Sequence, residues 1–225
     1  MITLQSVDVT LGGRAVLQSI SLEMDQSRIG IIGLNGSGKS TFARLLNGLQ
    51  LPSSGSVSVD GLDTRKDGRK IRSRVGFVFQ NPDNQIVYPT VREDLAFGLK
   101  NLGYAPAEIK TKIEDALVTY RIDHLADRLT HQLSGGEKQM VALIGVLVMR
   151  PEYVILDEPT TLLDLRNKNR LMGIIKSLSQ RVVMVTHDLD LLADFDRVLC
   201  FHEGRLHADG SPSEVIAGYL KLCIS

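Results

Sequence analysis

Short runs of apolar residues alternate along the chain with stretches of helical periodicity. This alternation predicts an α/β fold in which a sheet is flanked by helices. Three of the runs, Ile29–Ile32, Val154–Leu156 and Val182–Val185, are continuously apolar, which is typical of strands buried on both faces. The predicted strands are Ile2–Val9, Val16–Met24, Arg28–Ile32, Ser54–Val59, Val75–Phe79, Tyr153–Leu156, Arg181–Val185, Arg197–His202 and Arg205–Ala208.

The first two predicted strands are expected to form an antiparallel pair. They show period-two alternation or a turn between them, and the turn dipeptide is Gly12-Gly13. A second glycine-bearing stretch, Gly61–Lys70, is polar and predicts an excursion over the surface.

The middle of the chain has a different pattern. From about residue 90 to residue 150 helical periodicity dominates and no strand is convincing. The apolar residues of Ala107–Tyr120 fall at helical spacing, and Pro106 stands in the first turn, where its missing N–H costs nothing. We therefore expect a single domain, residues 1–225, with a helical subdomain inserted at about 90–150.

Composition and charge narrow the class of protein. Of the 225 residues, 43% are hydrophobic and 23% are charged, which excludes bulk disorder. Lys and Arg number 26, as do Asp and Glu, so no overall basic field favours nucleic acid or an anionic membrane. The longest apolar run, Met140–Met149, is shorter than the about 20 residues of a membrane span and predicts a buried helix.

Two further absences in the sequence favour a cytosolic protein. The N-terminus lacks the basic and then apolar segments of a signal peptide. The two cysteines, Cys200 and Cys223, provide neither a disulfide framework nor a paired metal-binding motif.

The strongest chemical signal is a glycine-rich loop directly after the strand Arg28–Ile32. It reads Gly33-Leu34-Asn35-Gly36-Ser37-Gly38-Lys39-Ser40-Thr41, fits G-x-x-x-x-G-K-[ST] without a mismatch, and precedes helical periodicity over Phe42–Leu49. Glycines let backbone N–H groups turn toward phosphate oxygens, and the helix start adds the positive end of its dipole. Lys39 would bridge the β- and γ-phosphates, and the Ser40 hydroxyl would ligate Mg²⁺. The alternative, a glycine-rich turn with an ordinary N-cap serine, does not account for the strand–loop–helix context.

Two carboxylates follow the predicted strand Tyr153–Leu156. Asp157, at the C-terminal end of that strand, can hold Mg²⁺ beside the phosphate loop, directly or through water. Glu158 would then face the γ-phosphate and polarise an attacking water. Two solvated carboxylates at a strand end are the commoner arrangement, but the nearby phosphate loop favours a functional site.

A second glycine motif, Leu133-Ser134-Gly135-Gly136-Glu137-Lys138-Gln139, precedes the apolar helix. Ser134 followed three residues later by Glu137 predicts a capping box, and the two glycines would give a second anion-binding helix start. The segment matches the signature motif of ATP-binding-cassette ATPases in all seven residues. The order of motifs is also similar to that family: phosphate loop, Gln80, signature, Asp157-Glu158, Asp164, His187.

The resemblance covers essentially the whole chain and implies an ATPase. It implies a P-loop NTPase core with a mostly parallel sheet, an N-terminal antiparallel β subdomain and an inserted α-helical subdomain. It also implies a second ATPase subunit, with a homodimer expected. The two copies would pair head to tail, so that Ser134, Gly135 and Gly136 of one close over ATP on the phosphate loop of the other.

Roles for three further residues follow from the same resemblance. Gln80 would sense Mg²⁺ and the γ-phosphate while coupling to a membrane partner. His187, in Thr186-His187-Asp188, would contact the γ-phosphate and orient water. A lone histidine at a strand end is ordinarily a surface residue, but the place of His187 in the motif order favours a role. Asp164 matches the aspartate at the dimer seam.

The sequence departs from the family pattern at two places. Leu11 stands before Gly12-Gly13, where the family usually has an aromatic residue that stacks on adenine, so Val16 is the remaining candidate for contact with the base. Leu162-Leu163 precedes Asp164, where many relatives have a small residue.

The subtype is indicated by Gln80-Asn81-Pro82-Asp83-Asn84-Gln85, a polar stretch that predicts an exposed loop. It resembles the Q-loop of ATPases from energy-coupling-factor importers, which take up cobalt, nickel and vitamins such as biotin. The chain stops soon after Gly210–Glu214, and this brevity resembles the biotin-importer ATPases of the group. The resemblance implies ATP and Mg²⁺ as cofactors, a transmembrane coupling subunit and a substrate-binding membrane subunit as partners, and a peripheral place on the cytoplasmic face of the membrane.

Two other classes of function were weighed against a transport ATPase. A soluble cassette ATPase of DNA repair or translation would carry a long coiled coil or a second cassette, and the neutral charge disfavours nucleic acid as a partner. A P-loop kinase acting on a small metabolite would leave Ser134–Gln139 unexplained.

Overall fold

The structure is a computed structural model that describes residues 1–161 and 163–224. Leu162, the first of the two leucines that precede Asp164, lies outside the described residues. The strands are β1 (Ile2–Leu11), β2 (Arg14–Met24), β3 (Arg28–Gly33), β4 (Ser54–Val59), β5 (Leu62–Asp63), β6 (Val75–Val78), β7 (Tyr153–Asp157), β8 (Arg181–Val185), β9 (Arg197–His202) and β10 (Arg205–Gly210). The helices are α1 (Lys39–Leu45), α2 (Gly68–Arg74), α3 (Val91–Asn101), α4 (Pro106–Thr119), α5 (Gly135–Leu147), α6 (Leu165–Ser177) and α7 (Pro212–Leu222).

The smaller of two sheets is antiparallel and has the order β2-β1-β4-β5. Its first hairpin closes at Gly12 and Gly13, whose φ angles are 54° and 77°. Both values are positive, as the tight two-residue turns that match strand twist require, and glycine adopts them without a steric penalty. The antiparallel pairing predicted for the first two strands is therefore confirmed.

The larger sheet has the order β10-β9-β3-β8-β7-β6, and it is parallel except for the edge strand β10. Strands β7 and β6 are buried along their whole length, and β3 and β8 are buried except at their first residue. This burial agrees with their continuously apolar sequences. Because neighbouring parallel strands end at the same edge, the loops after β3, β7, β8 and β6 meet there.

The larger sheet has a core on each face, since successive strand residues point to opposite sides. Ile31 belongs to the core shared with α1 and the smaller sheet, whereas Ile32 belongs to the core beneath helices α3 to α7. In the first core, the rings of Phe42 and Phe201 lie 4.7 Å apart between centroids. Helix α1, which follows the phosphate loop, is thereby fixed against the sheet.

Helices α3, α4 and α5 lie between β6 and β7, where the sequence pattern predicted the helical subdomain. Ala105 precedes α4, and Pro106 is its first residue, as predicted. Helix α3 begins with a capping box made by Thr90 and Glu93. None of the helices within residues 1–161 and 163–224 combines the length and the apolar character needed to cross a bilayer.

Residues 61–70 lie mostly at the surface, as predicted, but they contain regular structure that the prediction lacked. Leu62 and Asp63 pair with Val59 and Ser58 as the edge strand β5, and α2 begins at Gly68. The prediction missed both elements because β5 has two residues and α2 buries only Ile71, so neither produces a periodic apolar pattern.

Candidate functional site

The edge where the parallel strands end carries a cleft of about 520 Å³. It is lined by residues from the phosphate loop, from β2 and from the loops after β6, β7 and β8. The lining residues are Val16, Asn35, Gly36, Gly38, Lys39, Ser40, Thr41, Gln80, Glu158, Thr161 and His187. The fold therefore brings most of the residues singled out from the sequence into one cleft.

The phosphate loop follows β3 in a conformation that requires glycine at two positions. Gly33 has φ 148°, and a Cβ on it would lie 2.2 Å from the backbone oxygen of Phe201. Gly38 has φ 98°, and a Cβ there would lie 2.9 Å from the backbone oxygen of Val16. Any side chain at either position would displace the backbone of β9 or β2, so the glycines fix how closely the loop approaches both strands.

Lys39, the first residue of α1, is buried inside this loop. Its Nζ donates to the backbone oxygens of Gly33 and Leu34 at 2.8 and 3.0 Å. Burial lowers the pKa of the Lys39 ammonium, against the opposing charges of Glu158 and Asp157. An ammonium has three donors, so one N–H remains for an anion.

The hydroxyl of Ser37 faces away from the cleft. Its Oγ is buried and has no hydrogen-bond partner among the described residues. Ser37 does not line the cleft, and its Oγ lies 2.7 Å from where a Cβ on Gly33 would stand, which is a further reason for glycine at that position.

Ser40 and Asp157 form a pair of oxygen ligands at the mouth of the loop. The Ser40 hydroxyl donates to Asp157 Oδ1 at 2.9 Å. Burial raises the pKa of Asp157, whereas the hydrogen bond from Ser40 and the positive charge of Arg44 act to lower it. No group of three or more His, Cys, Asp or Glu within the described part of the chain could hold a metal. A hard cation here would therefore need ligand oxygens from the nucleotide as well.

Glu158 is the residue on which three other side chains converge. Its Oε2 accepts from Gln80 Nε2 at 3.1 Å and from Thr161 Oγ1 at 3.0 Å, and its Oε1 lies 2.9 Å from His187 Nε2. Its φ of 49° is in the left-handed region, where a residue other than glycine is strained. That conformation turns the chain sharply after β7 and aims the carboxylate into the cleft.

Thr161 is a site residue that the sequence analysis missed. The available signal was a hydroxyl residue three positions after Glu158, a spacing at which a turn brings side chains together. Gln80 and His187, by contrast, follow different strands, and only the β7–β8 and β6–β7 pairings bring them to Glu158.

The signature residues do not line this cleft. Ser134 caps α5: its hydroxyl accepts from the Glu137 N–H at 3.3 Å, while the Glu137 carboxylate accepts from the Ser134 N–H at 2.7 Å. The predicted capping box is confirmed. Ser134 and Gly135 are exposed, and the position of a Cβ on Gly135 is open space.

Asp164 lies beside the signature helix. It caps α6 by accepting from the Asn167 N–H at 2.8 Å, and the Asn167 side chain donates to its second oxygen at 3.1 Å. A Cβ on Gly136 would lie 2.6 Å from that same Asn167 amide nitrogen. The signature glycines and Asp164 therefore share one surface.

Leu11 and Val16, the two candidates for contact with the base, are separated by the structure. Val16 lines the cleft and packs over Gly38. Leu11 stands at the end of β1, does not line the cleft and is 42% exposed.

A groove of about 650 Å³ lies between α2 on one side and α3 and α5 on the other. Its apolar lining includes Phe77, Phe79, Phe97, Val146 and Met149. Residues 80–85, which we call the connecting segment, join the cleft to this groove. Gln80 lines the cleft, and Gln85 lines the groove.

The connecting segment is attached to the signature helix. Gln85 accepts from the Phe79 N–H at 3.2 Å and donates to the Ala142 backbone oxygen at 2.7 Å. Lys138, within the signature motif, pairs with Asp83 at 2.6 Å. A displacement of the connecting segment at the groove would therefore move both Gln80 and α5.

Comparison with known proteins gives relatives that match almost the whole chain. A family model described as ABC transporter matches residues 17–161. A putative ABC transporter ATP-binding protein of Deinococcus radiodurans is 57% identical over 219 residues, which are 97% of each chain. The biotin transport ATP-binding protein BioM of Rhizobium etli is 49% identical over 221 residues, which are 98% of each chain.

Solved structures also match almost the whole chain. The cbiO1 protein of Clostridium perfringens, described as part of the ABC transporter complex cbiONQ, has a TM-score of 0.84 at 35% identity, covering 97% of this chain and 92% of its own. The ATP-binding cassette MJ0796, in a dimeric structure bound to ADP and Pi, has a TM-score of 0.83 at 26% identity, covering 94% of this chain and 99% of its own.

Proposed function

This chain belongs to the ABC transporter family, and we propose that it hydrolyses ATP to power a membrane importer of the energy-coupling-factor type. The observation that carries the proposal is the cleft itself, in which a phosphate loop lies beside a carboxylate contacted by Gln80, Thr161 and His187. A water placed between that carboxylate and a γ-phosphate is what hydrolysis requires.

In this proposal the phosphate loop binds the triphosphate of ATP. Lys39 donates its remaining N–H to the β- and γ-phosphates, and the loop amides add neutral donors. Ser40, Asp157 and Gln80 are the residues that would hold Mg²⁺, together with phosphate oxygens. The ion, when bound, neutralises charge that develops on the phosphates.

Glu158 acts as the general base. Its carboxylate accepts a proton from the attacking water, and His187 orients that water and contacts the γ-phosphate. Gln80 and Thr161 donate to one Glu158 oxygen, and His187 Nε2 lies 2.9 Å from the other. A carboxylate has about four acceptor sites, so these three contacts position Glu158 and leave it able to accept from a water.

We propose that two copies of the chain pair head to tail to complete each site. Ser134, Gly135, Gly136 and Asp164 are outside the cleft of their own chain but share one exposed surface, as expected if they serve the site of a second copy. The start of α5 would bring backbone N–H groups to the γ-phosphate of the other copy. The dimeric form of MJ0796 supports this arrangement.

The partners in this proposal are a transmembrane coupling subunit, which docks in the groove, and a substrate-binding membrane subunit. The apolar and aromatic groove lining fits a short helix of the coupling subunit, in the manner of helix-in-groove recognition. Docking there would place the chain on the cytoplasmic face of the membrane. BioM of Rhizobium etli is named for biotin transport, and we propose a vitamin such as biotin, or cobalt or nickel, as the imported substrate.

Co-purification tests this function directly. The chain, co-expressed with the membrane subunits of an energy-coupling-factor importer from its own source, should be retained by a tagged coupling subunit in detergent. ATP hydrolysis by the complex should exceed that of the isolated chain. A chain that hydrolyses ATP but is never retained by the coupling subunit would point to a cassette ATPase outside transport.

The connecting segment gives a prediction about coupling. We expect Asp83→Ala with Asn84→Ala to depress transport and partner-stimulated hydrolysis, because these residues lie beyond the phosphate-contacting elements but within the connection to α5. Basal hydrolysis should stay within about fivefold, since an exposed ion pair is worth at most about 1 kcal/mol. Asp115→Ala on α4, an exposed carboxylate that lines neither the cleft nor the groove, is the control. Equal losses of basal and stimulated rates would assign the segment to the nucleotide alone.

Recognition of the base gives a second prediction. Leu11 is exposed, Val16 is aliphatic, and the described cleft lining contains no Phe, Tyr or Trp, while its one imidazole, that of His187, is assigned to the γ-phosphate. Base stacking is worth about 1–3 kcal/mol, so GTP should be bound and hydrolysed within about tenfold of ATP. Leu11→Tyr should tighten ATP binding by up to about tenfold if the longer side chain reaches the adenine face from outside the cleft. Both nucleotides are titrated against both proteins. Strong ATP preference in the wild type, with no gain from tyrosine, would place base recognition elsewhere.

A further inference from the structure

Positive charge is concentrated in one short segment although the chain as a whole is neutral. Helix α2 and the loop before it contain six basic residues, and all six are exposed. We call this set the basic face: Arg65, Lys66, Arg69, Lys70, Arg72 and Arg74. Asp67 is the one acidic residue between Arg65 and Arg74.

Much of this charge is not neutralised within the chain. Lys70 pairs with Asp67 at 3.0 Å, and Arg74 approaches Glu152 at 3.7 Å. Lys66, Arg69 and Arg72 form no ion pair with a carboxylate of residues 1–161 or 163–224. Solvated helices usually mix charges of both signs, so this excess indicates an anionic partner.

The surroundings of the basic face indicate which anionic partner it fits. Arg69, Lys70 and Arg72 line the same groove as Leu49, Phe97 and Leu102, and these three apolar side chains are 45%, 41% and 38% exposed. In the proposed function a helix of the coupling subunit fills this groove and covers these apolar side chains, so the exposed cations beside them would come close to the lipid headgroups around that membrane subunit. A surface for nucleic acid would instead combine its cations with aromatic residues for stacking or with polar side chains for base edges.

We propose that the basic face binds the anionic phospholipid headgroups of the membrane on which the importer sits. The proposal rests on the proposed function, because a membrane subunit docked in the groove would bring the adjacent α2 close to the bilayer. The short helix suits this task, since only Ile71 is buried and neither Arg69 nor Arg72 forms an ion pair with a carboxylate of the described residues. Lipid contact would then hold the ATPase against its partner in addition to the protein contacts in the groove.

The size of the effect follows from the charge. Each Lys or Arg near an anionic leaflet raises the membrane affinity by about fivefold, and the contribution decays within a Debye length of about 8–10 Å. Loss of two cations should therefore lower vesicle affinity by at least about 25-fold. Added salt should weaken the binding of the wild type.

Vesicle co-sedimentation of the full chain tests the proposal. One set of vesicles contains equal parts of phosphatidylglycerol and phosphatidylcholine, and the other contains phosphatidylcholine alone. The test variant is Lys66→Glu with Arg69→Glu. The matched control is Lys110→Glu with Lys221→Glu, which changes the net charge equally at exposed positions on α4 and α7.

We expect the wild type and the control variant to sediment with the phosphatidylglycerol vesicles only, and the test variant to lose at least about 25-fold in affinity. Equal losses in both variants, or no sedimentation of the wild type, would overturn the proposal. So would loss of oligonucleotide binding in the test variant if vesicle binding is unaffected. Co-purification with the coupling subunit in detergent needs no bilayer, so its success alongside a failed vesicle assay would overturn the lipid contact and leave the proposed function intact.

Discussion

Replacement of Glu158 by glutamine is expected to lower ATP hydrolysis by about 10²–10⁴-fold while ATP binding persists. The amide has the size of the carboxylate and can still accept from Gln80 and Thr161, so the cleft should keep its shape. It cannot accept a proton from water, and the general-base step is lost. Phosphate release measures the rate, a nucleotide titration measures binding, and size-exclusion chromatography with ATP detects the dimer, which slow hydrolysis should allow to accumulate.

Glu152→Gln is the matched control for this experiment. Glu152 immediately precedes β7, whereas Glu158 immediately follows it. The side chain of Glu152 is 59% exposed and lies 3.7 Å from Arg74. The same chemical change there should leave hydrolysis close to that of the wild type. Near-normal turnover in Glu158→Gln would show that Glu158 is not the general base and would leave His187 as the candidate for that role.

Much of the fold could be predicted because the central strands carry unambiguous patterns. The predicted bounds of Arg181–Val185 and Arg197–His202 agree with β8 and β9, and β3 and β7 differ from their predictions by one residue each. Burial on both faces leaves only apolar residues on such strands, and that requirement is visible in the sequence. Helix α2, by contrast, buries only Ile71. Its sequence therefore lacks the repeated apolar positions from which a helix is predicted.

The candidate site was predictable as a set of motifs but not as a geometry. Each motif follows a strand, and the sequence alone placed Gln80, Glu158 and His187 at strand ends. Their convergence on one carboxylate depends on the order β8-β7-β6, which no local pattern specifies. Thr161 was missed for a related reason, because its hydrogen bond to Glu158 depends on the left-handed turn at Glu158.

The cost of burying Lys39 connects the structure to the remaining large prediction. Burial lowers the pKa of this ammonium in the folded chain, so the charged form is less favoured there than in the unfolded chain. Such a group destabilises the fold at every pH below its folded-state pKa, and a bound anion would relieve that penalty. The loop therefore holds a cation whose benefit is realised only when nucleotide is present.

Lys39→Ala is accordingly expected to weaken ATP binding by about 10–100-fold without lowering the stability of the nucleotide-free protein. A hydrogen bond to a charged group is worth about 1.5–3 kcal/mol, and Lys39 has one N–H left for the phosphates. Alanine removes that contact, but it also removes a desolvated charge, which offsets the lost hydrogen bonds to Gly33 and Leu34. Equilibrium titration with ATP measures the first effect and thermal unfolding without nucleotide measures the second, with Lys110→Ala as the exposed-lysine control. Retained ATP affinity would contradict the assignment of the phosphate loop, whereas loss of both affinity and stability would show that Lys39 holds the loop together and not the nucleotide.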